Sequence, residues 1–259
     1  MFLTINIGNA NILAAAYEGR EKLFCSQLRT DPLKTADEYA IGLKNLLQLY
    51  GFSPEQLEGA ILSCVAPALA GTLRQAVRLL REVRVLTVGP GLKTGLNIRI
   101  DNPAELGADI VATAVAALER YPMPCLLVNF DTAITVMGLD AQRSLIGGCI
   151  SPGVRLSLEA LYTHAAQLPQ IDLTRRPGSV AGASMVASME AGLILGTASM
   201  VDGLIDRFAE LFGCPPAVVA TGELCRSITS HCVHRIQVDG DLLTDGLALI
   251  YLRNCRAAS

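Results

Sequence analysis

Two segments of this 259-residue sequence share a pattern suited to phosphate chemistry. Each is an apolar run with an asparagine near its end, Asn6 in the first and Asn129 in the second, followed by a polar turn. They align without gaps at a separation of 123 residues, close to half the chain. A strand that ends in such a turn presents consecutive backbone N–H groups that can bind phosphate oxygens, and an acidic side chain near the strand end could hold a metal ion. The repeat therefore predicts two phosphate-binding turns.

Asp131 is an acidic residue within the second turn. It lies two positions after Asn129, and strand side chains two positions apart point to the same face. Asp131 could therefore hold a metal ion at this turn. An unpaired carboxylate there would also repel a phosphate, so the alternative is a carboxylate without function.

Composition limits the classes of function. The chain is 51% apolar and 17% charged, with a formal net charge of −3 and no run of like charge. This composition excludes a disordered chain, and it makes binding to nucleic acid unlikely. The longest uncharged stretches, 1–17 and 59–73, are interrupted by asparagines and by a proline, so no membrane span is predicted.

Eight cysteines occur mostly in apolar contexts without a disulfide framework, which favours buried thiols and a cytoplasmic location. One cluster has ligand-type residues but lacks the paired spacing of a zinc site, so we interpret it as coincidental. Its members are Cys225, His231, Cys232 and His234.

Strands and helices alternate along the chain, which is typical of a partly parallel α/β sheet. Thr35 and Glu38 have the spacing of a capping box and predict a helix that ends at Gly51. Predicted strands are Phe2–Ile7, Ile12–Tyr17, Leu23–Leu28, Ala60–Val65, Val83–Val88, Cys125–Phe130, Ile134–Leu139, Ser144–Ile150 and Ala217–Ala220. Further predicted helices are Pro67–Glu82, Leu106–Tyr121, Val154–Gln167, Met185–Phe212 and Leu242–Arg253, with a loop around Asn97–Pro103. We predict two similar α/β domains, 1–121 and 122–259.

Two such turns facing across a cleft are the layout of the actin, Hsp70 and sugar kinase superfamily, whose fold consists of two similar ribonuclease H-like domains. Within it, the chain resembles the type III pantothenate kinase family from its first residue almost to its last. The matching segments are Asn6–Ala10 for Asp-x-Gly-Asn-Thr, Ser63–Pro67 for Ser-Ser-Val-x-Pro, Leu106–Ile110 for Gly-Ala-Asp-Arg, Asn129–Thr135 for Asp-Phe-Gly-Thr-Ala-Thr-Thr, Gly147–Gly153 for Gly-Gly-x-Ile-x-Pro-Gly, and Ala220–Glu223 for Thr-Gly-Gly.

The resemblance implies transfer of the ATP γ-phosphate to the pantothenate hydroxyl, the first step of coenzyme A synthesis. It also implies a homodimer that needs Mg²⁺ and a monovalent cation, K⁺ or NH₄⁺. Asp109 would be the base that receives the hydroxyl proton, and Asn129 and Asp131 would occupy the metal site. The cofactor-binding positions would be Asn6, Gly8, Asn9, Asp131, Thr132, Thr221 and Gly222, and the substrate-binding positions Gly107, Ala108, Ile110 and Met185.

The sequence departs from the family pattern where chemistry is expected. Asn6 and Asn129 replace carboxylates, and a neutral amide is a poor ligand for hydrated cations. Ile110 replaces the arginine that would bind the pantothenate carboxylate, and Met185 replaces a threonine. Further departures are the loss of hydroxyls at Ala10 and Ile134, Asp131 in place of a glycine, and Glu223 in place of a glycine beside the nucleotide.

Asp109 and the glycines match the pattern but also have simpler explanations. An aspartate in the first turn of a helix is favoured by the helix dipole. Gly8, Gly153 and Gly222 would be required by tight turns whether or not the protein is active.

Three hypotheses follow. The first is a catalytically degenerate member that acts as a subunit or partner of an intact paralogue, because the family's substrate pocket lies at the dimer interface; this chain alone would neither bind ATP nor phosphorylate pantothenate. The second is an active kinase for pantothenate or another small hydroxyl compound, with its metal site at Asp131. The third is a non-enzymatic accessory factor for transcription.

Overall fold

The computed structural model describes residues 1–173 and 175–255, which form eleven strands and eight α-helices within those ranges. The strands are β1 (Phe2–Ile7), β2 (Asn11–Glu18), β3 (Glu21–Arg29), β4 (Gly59–Cys64), β5 (Arg84–Thr87), β6 (Asn97–Ile98), β7 (Cys125–Phe130), β8 (Ala133–Leu139), β9 (Ser144–Pro152), β10 (Ala217–Thr221) and β11 (Gln237–Val238). The helices are α1 (Ala36–Leu49), α2 (Pro67–Leu80), α3 (Ala108–Arg120), α4 (Val154–His164), α5 (Met185–Glu190), α6 (Gly196–Phe212), α7 (Cys225–Thr229) and α8 (Leu242–Cys255).

The first sheet has the strand order β3-β2-β1-β4-β5. Strands β1 to β3 are antiparallel neighbours, whereas β4 and β5 run parallel to β1. Alternate residues of β1 such as Ile5 and Ile7 are fully buried in a core that includes Tyr39 and Leu43 of α1 and Leu73 of α2. Parallel strands need covered faces, and the apolar stripes of these helices cover one face of this sheet.

Helix α1 begins with the predicted capping box. The Thr35 hydroxyl accepts a hydrogen bond from the Glu38 backbone N–H at 3.3 Å, and the Thr35 N–H donates to the Glu38 carboxylate at 2.8 Å. Hydrogen bonds at a helix start satisfy backbone donors that have no partner inside the helix. This element confirms the spacing seen in the sequence.

The second sheet repeats the order of the first. Its order is β11-β10-β7-β8-β9-β6, so β9-β8-β7-β10-β11 corresponds to β3-β2-β1-β4-β5. The bounds of β7 lie 123 residues after those of β1, and the bounds of β9 lie 123 residues after those of β3. The predicted repeat is therefore a repeat of strands, and the α/β fold with two ribonuclease H-like sheets is confirmed.

The chain divides into two compact units, whose bounds depart from the predicted division after residue 121 at 97–100, at 120–121 and at 241–255. The first unit holds residues 1–96, 101–119 and 241–255, and the second holds 97–100, 120–173 and 175–240. Residues 97–100 join the second unit because β6 pairs with β9. The C-terminal segment joins the first unit because α8 packs against β1, β2 and β4.

Other differences concern element ends and short elements. The helix predicted at 154–167 ends at His164, and the helix predicted at 185–212 contains a π-helical segment, Ala191–Leu195, between α5 and α6. The predicted loop at 97–103 contains β6, and the sequence did not reveal α7 or β11. Elements of two to five residues are too short to show a periodic pattern. No helix within the described ranges is long and apolar enough to cross a membrane.

Candidate functional site

The first turn follows β1 and is held by backbone hydrogen bonds. The Gly8 N–H donates to the Asn11 carbonyl at 3.0 Å, and a Cβ added at Gly8 would lie 2.8 Å from that oxygen, so a larger residue would require a shift. From the end of β3, the Thr30 hydroxyl donates to the Gly8 carbonyl at 2.8 Å and the Thr30 N–H to the Ala10 carbonyl at 2.9 Å. Residues 9–11 are exposed.

Asn6 and Ser63 lie side by side below this turn. They are register partners on the parallel strands β1 and β4. The Asn6 Oδ1 and Ser63 Oγ atoms are buried, and neither has a hydrogen-bond partner among the described residues. A buried polar atom without a partner costs about 1–3 kcal/mol, so such a pair indicates a place where water or a ligand group binds. Sequence reasoning did not assign Ser63 to the site, although a serine inside an apolar strand was a usable signal.

The second turn is enclosed by two glycines from distant parts of the chain. The Gly153 N–H donates to the Thr132 carbonyl at 3.0 Å, and a Cβ at Gly153 would lie 2.2 Å from the Asp131 carbonyl oxygen. Gly222 has φ +98°, and its Cβ would lie 2.7 Å from the Asn129 Oδ1 atom. Only glycine fits at these two positions, because backbone and side-chain atoms of the turn already occupy the space of a Cβ.

Asp131 is exposed on this turn, and its Oδ1 atom accepts a hydrogen bond from the Thr132 N–H at 3.0 Å. Asn129 is half-buried and lies against Gly222. The structure therefore brings together four of the predicted residues: Asn129, Asp131, Thr132 and Gly222. Thr221, at the end of β10, is buried and is the register partner of Asn129.

Helix α4 begins directly after Gly153, which has no side chain to cap it. The first backbone N–H groups of a helix lack partners within the helix, and the helix dipole is positive at this end. Phosphate groups bind at such helix starts, particularly where glycines allow close approach of the backbone. The start of α4, beside the second turn, therefore has the polarity that favours an anion.

An ion pair that the sequence did not reveal spans the two glycine segments. Arg155 is the second residue of α4, and its Nη2 atom lies 2.5 Å from the Oε1 atom of Glu223, the residue after Gly222. Both side chains are more than half exposed. The two residues are 68 positions apart, so no local pattern could connect them.

Asp109 and its neighbours lie in the first unit. Asp109 is in the first turn of α3 and is half-buried, and a Cβ at Gly107 would lie 2.4 Å from its Oδ1 atom. The carboxylate therefore lies against the Gly107 backbone. Ile110, also half-buried, offers no hydrogen-bond donor. Met185 is the first residue of α5 in the second unit, where it is 48% exposed.

The two turns fit phosphate groups better than they fit a divalent cation. Mg²⁺ is usually bound by one or two carboxylates together with substrate phosphates. The first turn and Asn6 include no carboxylate, so they do not fit the ion, and the second turn offers Asp131 alone. Within the described ranges, no group of three or more His, Cys, Asp or Glu residues could hold a metal ion.

Solved structures show which fold this chain shares with known proteins. An activator of 2-hydroxyisocaproyl-CoA dehydratase from Clostridium difficile, with bound ADPNP, superposes with a TM-score of 0.59 at 10% identity, over 99% of this chain and 96% of that one. For the ROK hexokinase from Thermus thermophilus the TM-score is 0.56 at 14% identity, over 98% and 99%. A conserved Baf family protein from Campylobacter jejuni, described as a transcriptional activator, gives 0.64 at 15%, over 98% and 100%. These likenesses concern the fold alone, which is that of the actin, Hsp70 and sugar kinase superfamily.

Sequence comparison identifies the family within this class. The sequence model of type III pantothenate kinase matches residues 2–207. Type III pantothenate kinases from Brevibacillus brevis and Myxococcus xanthus are 41% and 39% identical over 256 and 254 residues, covering 98% of this chain and 99% of each relative. The chain belongs to the type III pantothenate kinase family. Membership of a kinase family implies ATP and a divalent metal ion as cofactors.

Proposed function

We propose that this chain is a member of the family in which phosphoryl transfer is lost or slow, and that it acts as a subunit or partner of an intact type III pantothenate kinase paralogue. The observation that carries this proposal is the presence of amides, Asn6 and Asn129, at the strand end below each phosphate turn. Phosphoryl transfer depends on positioning and on neutralisation of charge by metal ions. A neutral amide neutralises no charge.

The substrate side supports the same proposal. Ile110 stands where the family has an arginine, and an isoleucine side chain cannot pair with the pantothenate carboxylate. Met185 likewise lacks the hydroxyl of a threonine. Losses on both the metal side and the substrate side are difficult to combine with unchanged activity, although Asp109 is retained.

The backbone around the second turn changes the expectation that this chain alone does not bind ATP. We infer that the second turn and the start of α4 form a backbone site for phosphate that does not depend on the lost carboxylates. We therefore expect the chain to bind ADP or ATP weakly, without turnover, rather than not at all.

The partner role follows from the family's architecture. In this family the pantothenate pocket lies at the dimer interface, so a subunit without catalysis can still complete the site of its neighbour. Identity of about 40% along 98% of the chain supports a retained scaffold. We infer a hetero-oligomer with the intact paralogue in the cytoplasm, with a homodimer as the alternative.

The first test is phosphopantothenate formation by the purified chain alone, with excess ATP, Mg²⁺ and K⁺ or NH₄⁺, measured by ADP release and by product mass. We expect no product above background. An Asp109→Asn variant purified in the same way is the control, because contaminating kinase would give equal product in both preparations. Robust turnover that Asp109→Asn abolishes would overturn the proposal.

The second test concerns the partner. Affinity purification of the tagged chain from its own organism should recover a second, intact member of the family, identified by mass spectrometry. Adding that paralogue to the chain should then produce turnover that depends on the paralogue's own active site. Recovery of homodimers only would count against a partner role.

A second candidate function has an observation in its favour. Asp131 is exposed on the turn that Gly153 and Gly222 enclose, so it could hold a metal ion beside a bound phosphate. In that case the chain is an active kinase for pantothenate or another small hydroxyl compound. Asp131→Asn would then abolish turnover, whereas under the first proposal it changes nothing catalytic. No comparable observation supports a role in transcription.

A further inference from the structure

The Arg155–Glu223 ion pair occupies a particular place relative to the second turn. Arg155 follows Gly153 by two residues, and Glu223 follows Gly222 directly. Gly153 contacts the turn at Asp131 and Thr132, while Gly222 contacts it at Asn129 and Phe130. The ion pair therefore links two segments that both contact the second turn. They are Gly153–Arg155 and Gly222–Glu223.

This ion pair is easily opened. The Nη2–Oε1 distance is 2.5 Å, but the side chains are 62% and 59% exposed. Exposed ion pairs contribute little to stability, because water screens them and both side chains lose freedom when they pair. Neither residue is therefore needed to hold the fold, and the guanidinium can exchange its partner at small cost.

The chemistry of the two side chains gives them opposite effects on an anionic ligand. A guanidinium binds phosphate with two parallel hydrogen bonds and is always charged. A carboxylate repels phosphate. Here the Glu223 carboxylate is also paired with the Arg155 guanidinium, to which a phosphate would otherwise bind.

We propose that Arg155 is a phosphate-binding residue of the nucleotide site and that Glu223 competes with the ligand for it. In the absence of a nucleotide, Glu223 holds Arg155; a bound diphosphate takes over the guanidinium and releases Glu223. The strength of this competition sets the affinity for nucleotide. The inference rests on the proposed function, since it takes the second turn to be the nucleotide site.

The test is the dissociation constant of ADP, measured by calorimetry in EDTA so that no metal ion contributes. Glu223→Gln should tighten ADP binding and Arg155→Gln should weaken it, each by roughly tenfold, the size of one charge-assisted hydrogen bond. The double variant should bind like Arg155→Gln or slightly better. Glu210→Gln and Arg207→Gln, both on the exposed side of α6, are controls with the same charge changes and should leave the dissociation constant unaltered.

The sign of the two effects separates this proposal from a structural role. If the ion pair only holds the two segments together, either substitution breaks it, and both variants shift ADP binding in the same direction. Pyrophosphate should reproduce the ADP result and adenosine should not. An equal effect of Glu223→Gln on adenosine would mean that Glu223 acts on the nucleoside rather than on the phosphates, and the proposal would fail.

Failure of this proposal is distinguishable from failure of the proposed function. If the wild-type chain and every variant bind no ADP at millimolar concentration, although urea unfolding shows them folded, then Arg155 is not a phosphate-binding residue. The absence of turnover and the recovery of a paralogue are measured independently and would still stand. Conversely, an active enzyme in which Arg155 and Glu223 have opposite effects would overturn the proposed function and support this inference.

Discussion

Asn6 and Asn129 differ from aspartate by one atom each, and that atom changes what the two turns can bind. A carboxylate offers two negatively charged oxygens, whereas an amide offers one neutral oxygen and two N–H donors. The Asn6 Oδ1 atom is buried, as is the Oγ atom of its register partner Ser63, so the missing charge at Asn6 concerns a buried site, whereas Asn129 is half-buried. The amides are compatible with water or a phosphate ligand but hold cations poorly.

Restoring the carboxylates should restore a dependence on metal. We expect the double variant Asn6→Asp/Asn129→Asp to bind ADP at least tenfold tighter with Mg²⁺ than with EDTA, whereas the wild-type chain shows little difference. Calorimetry in the two buffers measures this. A strong Mg²⁺ effect in the wild type that Asp131→Asn removes would instead favour the active kinase with its metal at Asp131.

The eight cysteines should separate into reactive and unreactive thiols. Cys149 and Cys214 are exposed, whereas burial raises the pKa of the Cys125 thiol to about 12. Burial, followed by the nearby Asp202 carboxylate, raises the pKa of the Cys232 thiol to about 12. Because the thiolate is the reactive form, a brief treatment with Ellman's reagent at pH 8 should modify Cys149 and Cys214 first.

Peptide mapping identifies the modified sites. The variant Cys149→Ser/Cys214→Ser should lack the fast phase of the reaction. Modification of Cys125 at a similar rate would show that its strand opens far more readily than its burial indicates.

At the scale of elements, two helices meet at a glycine. Gly246 of α8 packs so closely on α3 that a Cβ at this position would lie 1.8 Å from the Ala112 carbonyl oxygen. Helix α8 belongs to the first unit through such contacts and through Tyr251. The Tyr251 ring stacks on the Phe2 ring, with 4.1 Å between the ring centroids. This glycine is needed for close approach and not for an unusual backbone angle.

Two glycine-to-alanine substitutions should therefore have opposite effects on stability. Gly246→Ala should lower the free energy of unfolding by about 1–3 kcal/mol, because the helices must move apart. Gly203→Ala, on the exposed side of α6 with no atom within 4 Å of its Cβ, should raise it by about 0.5–1 kcal/mol, because alanine favours helix. Urea unfolding measures both values. Equal tolerance of the two substitutions would contradict the close crossing of α3 and α8.

At the scale of the whole molecule, several phenols and thiols whose pKa is raised by burial should make the free energy of unfolding fall as the pH becomes alkaline. Burial, followed by the hydrogen bond to Asp239, raises the pKa of Tyr121 to about 12. Burial and the hydrogen bond to Asp245 raise the pKa of Tyr17 in the same direction. Unfolded tyrosine ionises near pH 10, so the unfolded state loses its proton first as the pH rises.

The contribution of Tyr121 is fully present below pH 10 and is lost as the pH rises from about 10 to about 12. Tyr121→Phe should be less stable than wild type at pH 7, because it lacks the 2.8 Å hydrogen bond to Asp239. It should also lose less stability between pH 10 and 12, which urea unfolding at several pH values measures. An identical alkaline loss in this variant would show that Tyr121 ionises alike in both states.

Local sequence patterns determined the individual elements and the repeat. The capping box at Thr35, the strands β1 and β7 and their separation of 123 residues were all predictable, because hydrophobic periodicity and turn chemistry act between near neighbours. The family motifs pointed to the residues of both turns for the same reason.

Only the tertiary structure decided which distant segments meet. It joined α8 to the first sheet, enclosed the second turn between Gly153 and Gly222, and paired Arg155 with Glu223. An apolar helix carries no local signal of which sheet it will cover. An exposed arginine likewise carries no local signal of which acidic residue it will pair with. These choices depend on packing between segments far apart in the chain, where complementary shape and burial determine the contacts.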